Sequence, residues 1–293
     1  MPETYLQSPV DYAGLGPDTL LDAVDSCGFK TNGRLLALNS YENRVYQVGL
    51  EEADPVIAKF YRPGRWSDES ILEEHAFTLE LAGQEIPVVA PIVLNGSSMH
   101  TFEGYRFALF PRQGGHWPEL NHQDERLWMG RFIARIHAVG SLMPFRHRPA
   151  LGIEGFGRQS SRYLLEEGFI PAHIETAYRT LVEDLLLQIQ ERFDNAGNIR
   201  CWRIHCDCHP GNIMWTENGP HFVDLDDCRT GPAVQDLWML VSGGRDDMQR
   251  QLSDILEGYS QFHEFDYREL QLIEPCLLYT SPSPRDGETH LVC

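Results

Sequence analysis

The chain has 293 residues, long enough for one large two-lobed domain or two small ones, and its balance of 42% hydrophobic and 23% charged residues excludes a disordered chain. Its formal net charge of −19, from 24 basic and 43 acidic residues, argues against nucleic acid as a partner, because nonspecific binding needs a basic footprint. No apolar run approaches the roughly 18–20 residues of a membrane span, and Met1-Pro2-Glu3-Thr4 does not open a secretory leader. With seven cysteines, four of them (Cys201, Cys206, Cys208, Cys228) crowded into one region, the expectation is a cytoplasmic protein with reduced thiols.

In chain order, residues 34–62 read as strands. Val45, Tyr46 and Val48 alternate, and Pro55 to Tyr61 is an apolar run broken by one charge, Lys59. A helix is predicted from Ser67 or Asp68, either of which can cap it, to Leu81. Two further strands fit Val88–Leu94 and Tyr105–Phe110. Pro111-Arg112-Gln113-Gly114-Gly115 reads as a hinge, and helices dominate after it. Leu127 to Val139 and Ile174 to Phe193 keep helical spacing. Arg203 to Asp227 reads as loop, short hairpin and loop, with the hairpin turn at Thr216–Gly219. Val234–Val241 and Met248–Phe262 are helical again. The expected class is therefore α+β, with a small antiparallel β-lobe over residues 1–112 and a helical lobe over 113–275.

The segment His205-Cys206-Asp207-Cys208-His209-Pro210-Gly211-Asn212, followed twelve residues after Asn212 by Asp224, carries the chemistry. A protein-kinase catalytic loop has His, Asp two residues on and Asn five residues later. One carboxylate must orient the attacking hydroxyl and take its proton; Asp207 suits that role. An amide oxygen and a second carboxylate must hold Mg²⁺ against the phosphates of ATP, and Asn212 and Asp224 suit those. Zinc is the competing reading of HCDCH. It fits less well, because zinc sites draw on separated ligand pairs and residues 206 and 208 face away from 205, 207 and 209 in extended backbone.

Only two of the 24 basic residues are lysines, Lys30 and Lys59. A lysine inside an apolar strand needs an acidic partner. Glu73 and Glu74 on the following helix are candidates, with Glu74 preferred because Leu81 lies seven residues beyond it on the same face. No GxGxxG precedes Lys59. Leu38 to Tyr46 stands there instead, where Ser40 offers a hydroxyl and an N–H to a phosphate, or simply forms a hairpin turn.

Taken together, LNSYENRVYQ, AKFYRPGRW, ILEEH, the H-x-D-x-H-x-G-N loop, FVDLDD and GPAVQDLWML resemble the stress response kinase A family, in the aminoglycoside-phosphotransferase-like branch of the kinase fold. The resemblance runs from about Leu15 to Pro275. It implies a cytoplasmic serine/threonine protein kinase of the stress response, using Mg²⁺ and ATP on a protein hydroxyl; a monomer is the expected state. It further implies that Ser40 is an ATP-site position, that Asp207 accepts the proton and Asp224 acts beside it, that Asn212 and Asp224 bind Mg²⁺, and that Asp236 braces the loop. The family loop reads His-Gly-Asp where this chain has Cys206, so strain is expected there. A small-molecule kinase of the aminoglycoside, choline or homoserine type would use the same residues, and a nucleotide-binding pseudokinase is the remaining alternative. From Cys276 the run CLLYTSPSPRDGETHLVC resembles translated sequencing-adapter read-through. Residues 276–293 are therefore expected to be exposed, non-native coil, leaving Leu270 and Ile273 uncovered and the helical lobe truncated.

Overall fold

The computed structural model describes residues 11–40 and 42–280. The first four residues, at which no secretory leader is expected, Tyr41, and the tail from Ser281 onward all lie outside the described residues. The chain divides into two units. One comprises the chain up to His116 together with Met214–Asp226; the other comprises Trp117–Ile213 and the chain from Asp227.

The first unit opens with α1 (Pro17–Ser26), then β1 (Thr31–Leu38), β2 (Arg44–Leu50), β3 (Val56–Phe60), α2 (Asp68–Gly83), β4 (His100–Phe102) and β5 (Tyr105–Pro111). The strands form one antiparallel sheet in the order β1-β2-β3-β5-β4. Alternation along β3 sorts its side chains between two faces. Val56, Ala58 and Phe60 join the core that includes Leu20 and Val24 of α1. Ile71 of α2 packs with Tyr61 and Ala108 in a second cluster. Ser67 caps α2, its hydroxyl accepting the Ser70 N–H at 3.2 Å, as the sequence pattern predicts.

Val88–Leu94 is not a strand. Its contacts are single bridges, Val88 beside Phe222 and Leu94 beside Ser97, with Val89 N–H on Phe222 O and Ile92 N–H on Leu109 O. Pro87 and Pro91 remove the donors that a continuous ladder needs. The ten-residue α1, with Pro17 in its first turn, is an element that the periodicity did not announce.

The second unit begins with α3 (Gln123–Gly140). A π-helical turn (Ile153–Gln159) leads into α4 (Ser160–Glu166), then α5 (Glu175–Ala196) and β6 (Trp202–Ile204). The hairpin of β7 (Ile213–Thr216) and β8 (Gly219–Phe222) mostly belongs to the first unit, tied there by His116–Trp215 and Pro87–Phe222 backbone bonds. Its turn is at Thr216–Gly219, as expected, and Gly219 has φ +100°. β9 (Arg229–Gly231) pairs with β6, followed by α6 (Val234–Trp238), α7 (Arg245–Tyr259), a 3₁₀ stretch (Tyr267–Leu272) and α8 (Ile273–Thr280). An antiparallel sheet unit and a helical unit make the class α+β, as the sequence predicts. The periodic stripe of α5 is less buried than its spacing implies, with Leu181 exposed and only Ile189 and Ala196 buried on that helix. No helix among the described residues is long and apolar enough to cross a membrane.

The expectation of coil from residue 276 fails where the structure describes it. α8 continues through Thr280, and Cys276 is buried. Pro275 stands in the first turn of α8, where its missing N–H costs nothing, so the helix runs past it. α8 packs against α6 and the 3₁₀ stretch, and Leu270 and Ile273 are half-buried rather than bare.

α3 and α7 approach closely through two glycines. A Cβ on Gly130 would overlap the Ile255 carbonyl, and one on Gly258 would overlap the Leu127 carbonyl. Gly130→Ala should therefore destabilise the fold by about 2 kcal/mol, although alanine is the better helix former by ~1 kcal/mol. Urea unfolding with an unchanged m-value is the measurement; a midpoint equal to that of the parent chain contradicts the close crossing.

The start of α6 is capped from the 3₁₀ stretch, Val234 N–H donating to Glu269 Oε2 at 2.9 Å. Burial pushes the Glu269 carboxyl up to about 7 from its ordinary 4.5. The folded state thus holds this proton more tightly than the unfolded state. Its contribution to stability is complete below pH 4.5 and is lost as pH rises to about 7, a change of about 3 kcal/mol. Glu269→Gln should flatten the stability profile between pH 5 and 8, as read by urea midpoints at each pH.

Candidate active site

β3 carries Lys59 on the side of the sheet opposite Ala58 and Phe60, next to the small Ala108 of β5. Lys59 is buried, 5% exposed, so its charge requires counter-charge. Lys59 Nζ lies 2.8 Å from Asp224 Oδ1, 3.3 Å from Asp226 Oδ1 and 3.4 Å from Glu74 Oε1. Burial would push the ammonium down, but Asp224, Asp226 and Glu74 outweigh it and hold its pKa well above the ordinary value. Of the two candidate helix acids, Glu74 is the one at the lysine; it is buried, whereas Glu73 is half-buried.

Asp226 and Arg65 are members of this cluster that the sequence reading did not single out. Arg65 Nη1 lies 2.7 Å from Asp226 Oδ2, and Arg65 stacks on the Trp66 ring. The string Phe222 to Asp227 held the signal in its alternating acids, but acids after a strand also describe a solvated turn. Two cations thus face three carboxylates. Of the three, Asp224 is the accessible one, its side chain 45% exposed against 3% for Glu74 and 4% for Asp226.

The turn between β1 and β2 holds Ser40, half-buried. It is fastened without a glycine-rich loop. Buried Asn43 accepts the Arg62 N–H at 3.1 Å, Glu42 pairs with Arg62 at 2.6 Å, and Tyr12 donates to the carbonyls of Glu42 and Phe60.

Asp207 and Asn212 lie in the second unit, on the loop after β6. Asn212 Nδ2 donates to Asp207 O and to Asp207 Oδ2, both at 2.9 Å. The amide nitrogen is thereby engaged, and the amide oxygen is the atom left to face a cation. His209 Nε2 is 3.6 Å from the same Asp207 Oδ2, and His205 Nδ1 accepts the Asp207 N–H. Asp236 accepts the N–H groups of His205 at 2.9 Å and Cys206 at 2.7 Å. Cys206 has φ +69°, the left-handed region in which a glycine is at ease and a cysteine is strained. Asp224 shares that conformation at φ +56°.

Burial pushes the thiols of Cys206 and Cys208 well above their usual range, which disfavours the thiolate that zinc requires. Among the described residues no group of three or more His, Cys, Asp or Glu side chains is placed to cage a metal. A magnesium ion that shares its shell with nucleotide phosphates needs only one or two protein carboxylates, and an exposed aspartate beside a buried lysine fits that demand.

A lysine–glutamate pair on strand and helix, an adjacent acid, and an Asp–Asn loop are parts shared by kinase-like phosphotransferases. The profile of the phosphotransferase enzyme family (APH) matches residues 34–273, and the chain belongs to that family, as a kinase of its stress response kinase A branch. It is 40% identical over 268 residues to stress response kinase A of Escherichia coli strain K12, covering 92% of this chain and 81% of that protein. It is 41% identical over 268 residues to the serine/threonine protein kinase RdoA of Salmonella typhimurium strain LT2, covering 89% and 79%. Among solved structures it resembles amicoumacin kinase hAmiN in complex with AMP-PNP, Ca²⁺ and Ami (TM-score 0.71, 19% identity, 87% of this chain and 80% of that one). A microcompartment-associated aminopropanol kinase follows (TM-score 0.67, 20% identity, 87% and 84%). These likenesses establish the kinase-like fold.

Lys59→Met should cost about 3–5 kcal/mol, because it strands buried carboxylates, and a second change, Glu74→Gln, should recover part of that loss. Lys59 has a raised folded pKa, so its stabilisation is complete below its ordinary 10.5 and is lost only as pH climbs through the raised value. Denaturant midpoints of the parent chain and both variants between pH 7 and 10 test this; a double variant no more stable than Lys59→Met contradicts the pairing.

Proposed function

We propose that this chain is a Mg²⁺- and ATP-dependent serine/threonine protein kinase of the stress response, acting in the cytoplasm as a monomer. The observation that carries the reading is the buried Lys59 ammonium set between the helix acid Glu74 and the strand-end acid Asp224. In this reading Lys59 grips the α- and β-phosphates of ATP while Glu74 holds its ammonium in place. Ser40, in the fastened β1–β2 turn, contributes to the phosphate site. Asp224 and the Asn212 amide oxygen supply hard ligands to Mg²⁺, which neutralises charge on the phosphates.

Asp207 performs the proton step. Its carboxylate orients the acceptor hydroxyl and takes its proton as the hydroxyl oxygen bonds to the γ-phosphorus. The bond from that phosphorus to the β,γ-bridging oxygen breaks, and ADP leaves. The bonds from Asn212 hold Asp207 Oδ2 in a fixed direction for this role. The name of the Salmonella typhimurium relative, a serine/threonine protein kinase, favours a protein hydroxyl as acceptor. The small-molecule kinases that share the fold do so at 19–20% identity, which supports the architecture and leaves the acceptor to the assay.

The test is transfer of label from γ-labelled ATP with Mg²⁺ to a mixed serine/threonine peptide library, run beside aminoglycosides, choline and homoserine. The expected result is labelled peptide. Label on a small molecule alone would assign the chain to the second kind of kinase, and nucleotide binding without transfer would make it a binding module. Asp207→Asn should lower turnover by about 10²–10⁴-fold and leave ATP binding within twofold, because base and positioning are lost together. Turnover near that of the parent chain would remove Asp207 from the proton step.

A further inference from the structure

We propose that His137 and Tyr259 are positioning residues for phosphate transfer, acting through Asp236 to hold the catalytic loop in its strained conformation. The inference rests on the kinase reading above and adds to it two side chains, both within the second unit.

His137 lies on α3 and Tyr259 on α7, and each is 0% exposed. His137 Nδ1 is 2.9 Å from the Tyr259 hydroxyl, and His137 Nε2 is 3.0 Å from Asp236 Oδ2. The tautomer with its proton on Nε2 satisfies both contacts: Nε2–H donates to Asp236, and the tyrosine O–H donates to Nδ1. The same Asp236 Oδ2 accepts the His205 N–H, and Oδ1 accepts the Cys206 N–H. A continuous buried chain of hydrogen bonds therefore runs from Tyr259 through His137 and Asp236 to the residue before Asp207.

Three features show why the loop needs this support. Cys206 sits at φ +69°, which a non-glycine residue leaves unless neighbouring bonds fix it. Both of its backbone polar groups are held from α6, the N–H by Asp236 and the carbonyl by Gln235 Nε2 at 2.9 Å. Yet α6 has only five residues, so the direction of the Asp236 carboxylate depends on what grips it from outside that turn. His137 does this from an 18-residue helix. That helix is fastened to the strand before the loop, where buried Arg203 donates to the carbonyls of Val139 and Gly140. Tyr259 fixes the ring from the other side, on the helix that crosses α3 at Gly130 and Gly258. Because Asp207 follows Cys206 directly, a relaxed Cys206 turns the proton-accepting carboxylate away from its working direction. Neither residue touches nucleotide in this account, so the effect belongs to kcat and not to KM for ATP.

The experiment compares the full chain with Tyr259→Phe, His137→Leu and His137→Gln by two readouts. Amide hydrogen exchange over residues 203–208 should quicken about tenfold in His137→Leu and less in Tyr259→Phe, with α3 and α7 unchanged. The kcat for ADP release from Mg²⁺-ATP should fall about 10–100-fold in His137→Leu, with KM for ATP within twofold. His137→Gln, whose amide can still donate to Asp236, should restore most of both. Tyr259→Phe keeps the ring and the packing, so it tests the chain even if His137→Leu fails to fold. Unchanged exchange at 205–206, exchange that quickens evenly through the helices, or a normal kcat in a variant with a loosened loop would each overturn the proposal. A parent chain that releases no ADP would sink the kinase reading, while the exchange result still decides whether His137 and Tyr259 hold the loop.

Discussion

A positive charge buried in the middle of an apolar sheet sets the layout of the first unit. Lys59 sits on β3 with a strand on either side, and its desolvation must be answered by carboxylates at close range. They come from two places far apart in sequence. Glu74 reaches it from α2, fifteen residues on, and Asp224 from the end of the β7–β8 hairpin, 165 residues on. The devices that fix those elements therefore serve the lysine. Ser67 starts α2 at the right residue, and the bridges of Pro87, Val89 and His116 to the hairpin bring Asp224 and Asp226 to the sheet. Asp226, paired with both Lys59 and Arg65, lets Asp224 remain accessible while the lysine stays neutralised.

The second unit meets a different constraint. Its loop after β6 must present Asp207 and Asn212 from a backbone that Cys206 holds in the left-handed region. Strain of this kind costs about 1–3 kcal/mol and persists where surrounding bonds over-determine the conformation. Here both backbone groups of Cys206 are engaged by α6, and the Asp207–Asn212 pair closes the loop on its other side. The second left-handed non-glycine near the chemistry is Asp224, the exposed acid of the lysine cluster. In each unit a proposed catalytic acid thus stands at or next to a residue whose backbone is held against its preference.

Part of this was legible in the residues. The two-residue period of β3 puts Lys59 opposite Ala58 and Phe60, and an apolar strand with one charge already demands an acid. Ser67 marks the start of α2, Thr216 to Gly219 marks the hairpin turn, and the change from strand to helix patterning marks the class. The misreadings are local periods overruled by what surrounds them. Val88–Leu94 has the composition of a strand, but Pro87 and Pro91 leave only isolated bridges. The run from Cys276 looks like coil by Pro282 and Pro284, yet over its described part, up to Thr280, it continues α8. α5 has a helical stripe that its own spacing cannot say is covered.

Short-range pattern alone thus determined most of the strands of the sheet and the main helices, which face of β3 is charged, and which loop has the chemistry of a phosphotransferase. Whether Glu73 or Glu74 meets the lysine is a matter of about 100° around a helix axis, and only the packing of Ile71, Phe77 and Leu81 sets that rotation. The roles of Asp226, Arg65, His137 and Tyr259 were likewise decided by the tertiary structure. Periodicity reports how a residue relates to neighbours within a turn or two of chain. A buried charge or hydrogen-bond acceptor is satisfied by whatever the fold brings within about 3 Å, however distant in sequence, and that information exists only once the chain has closed on itself.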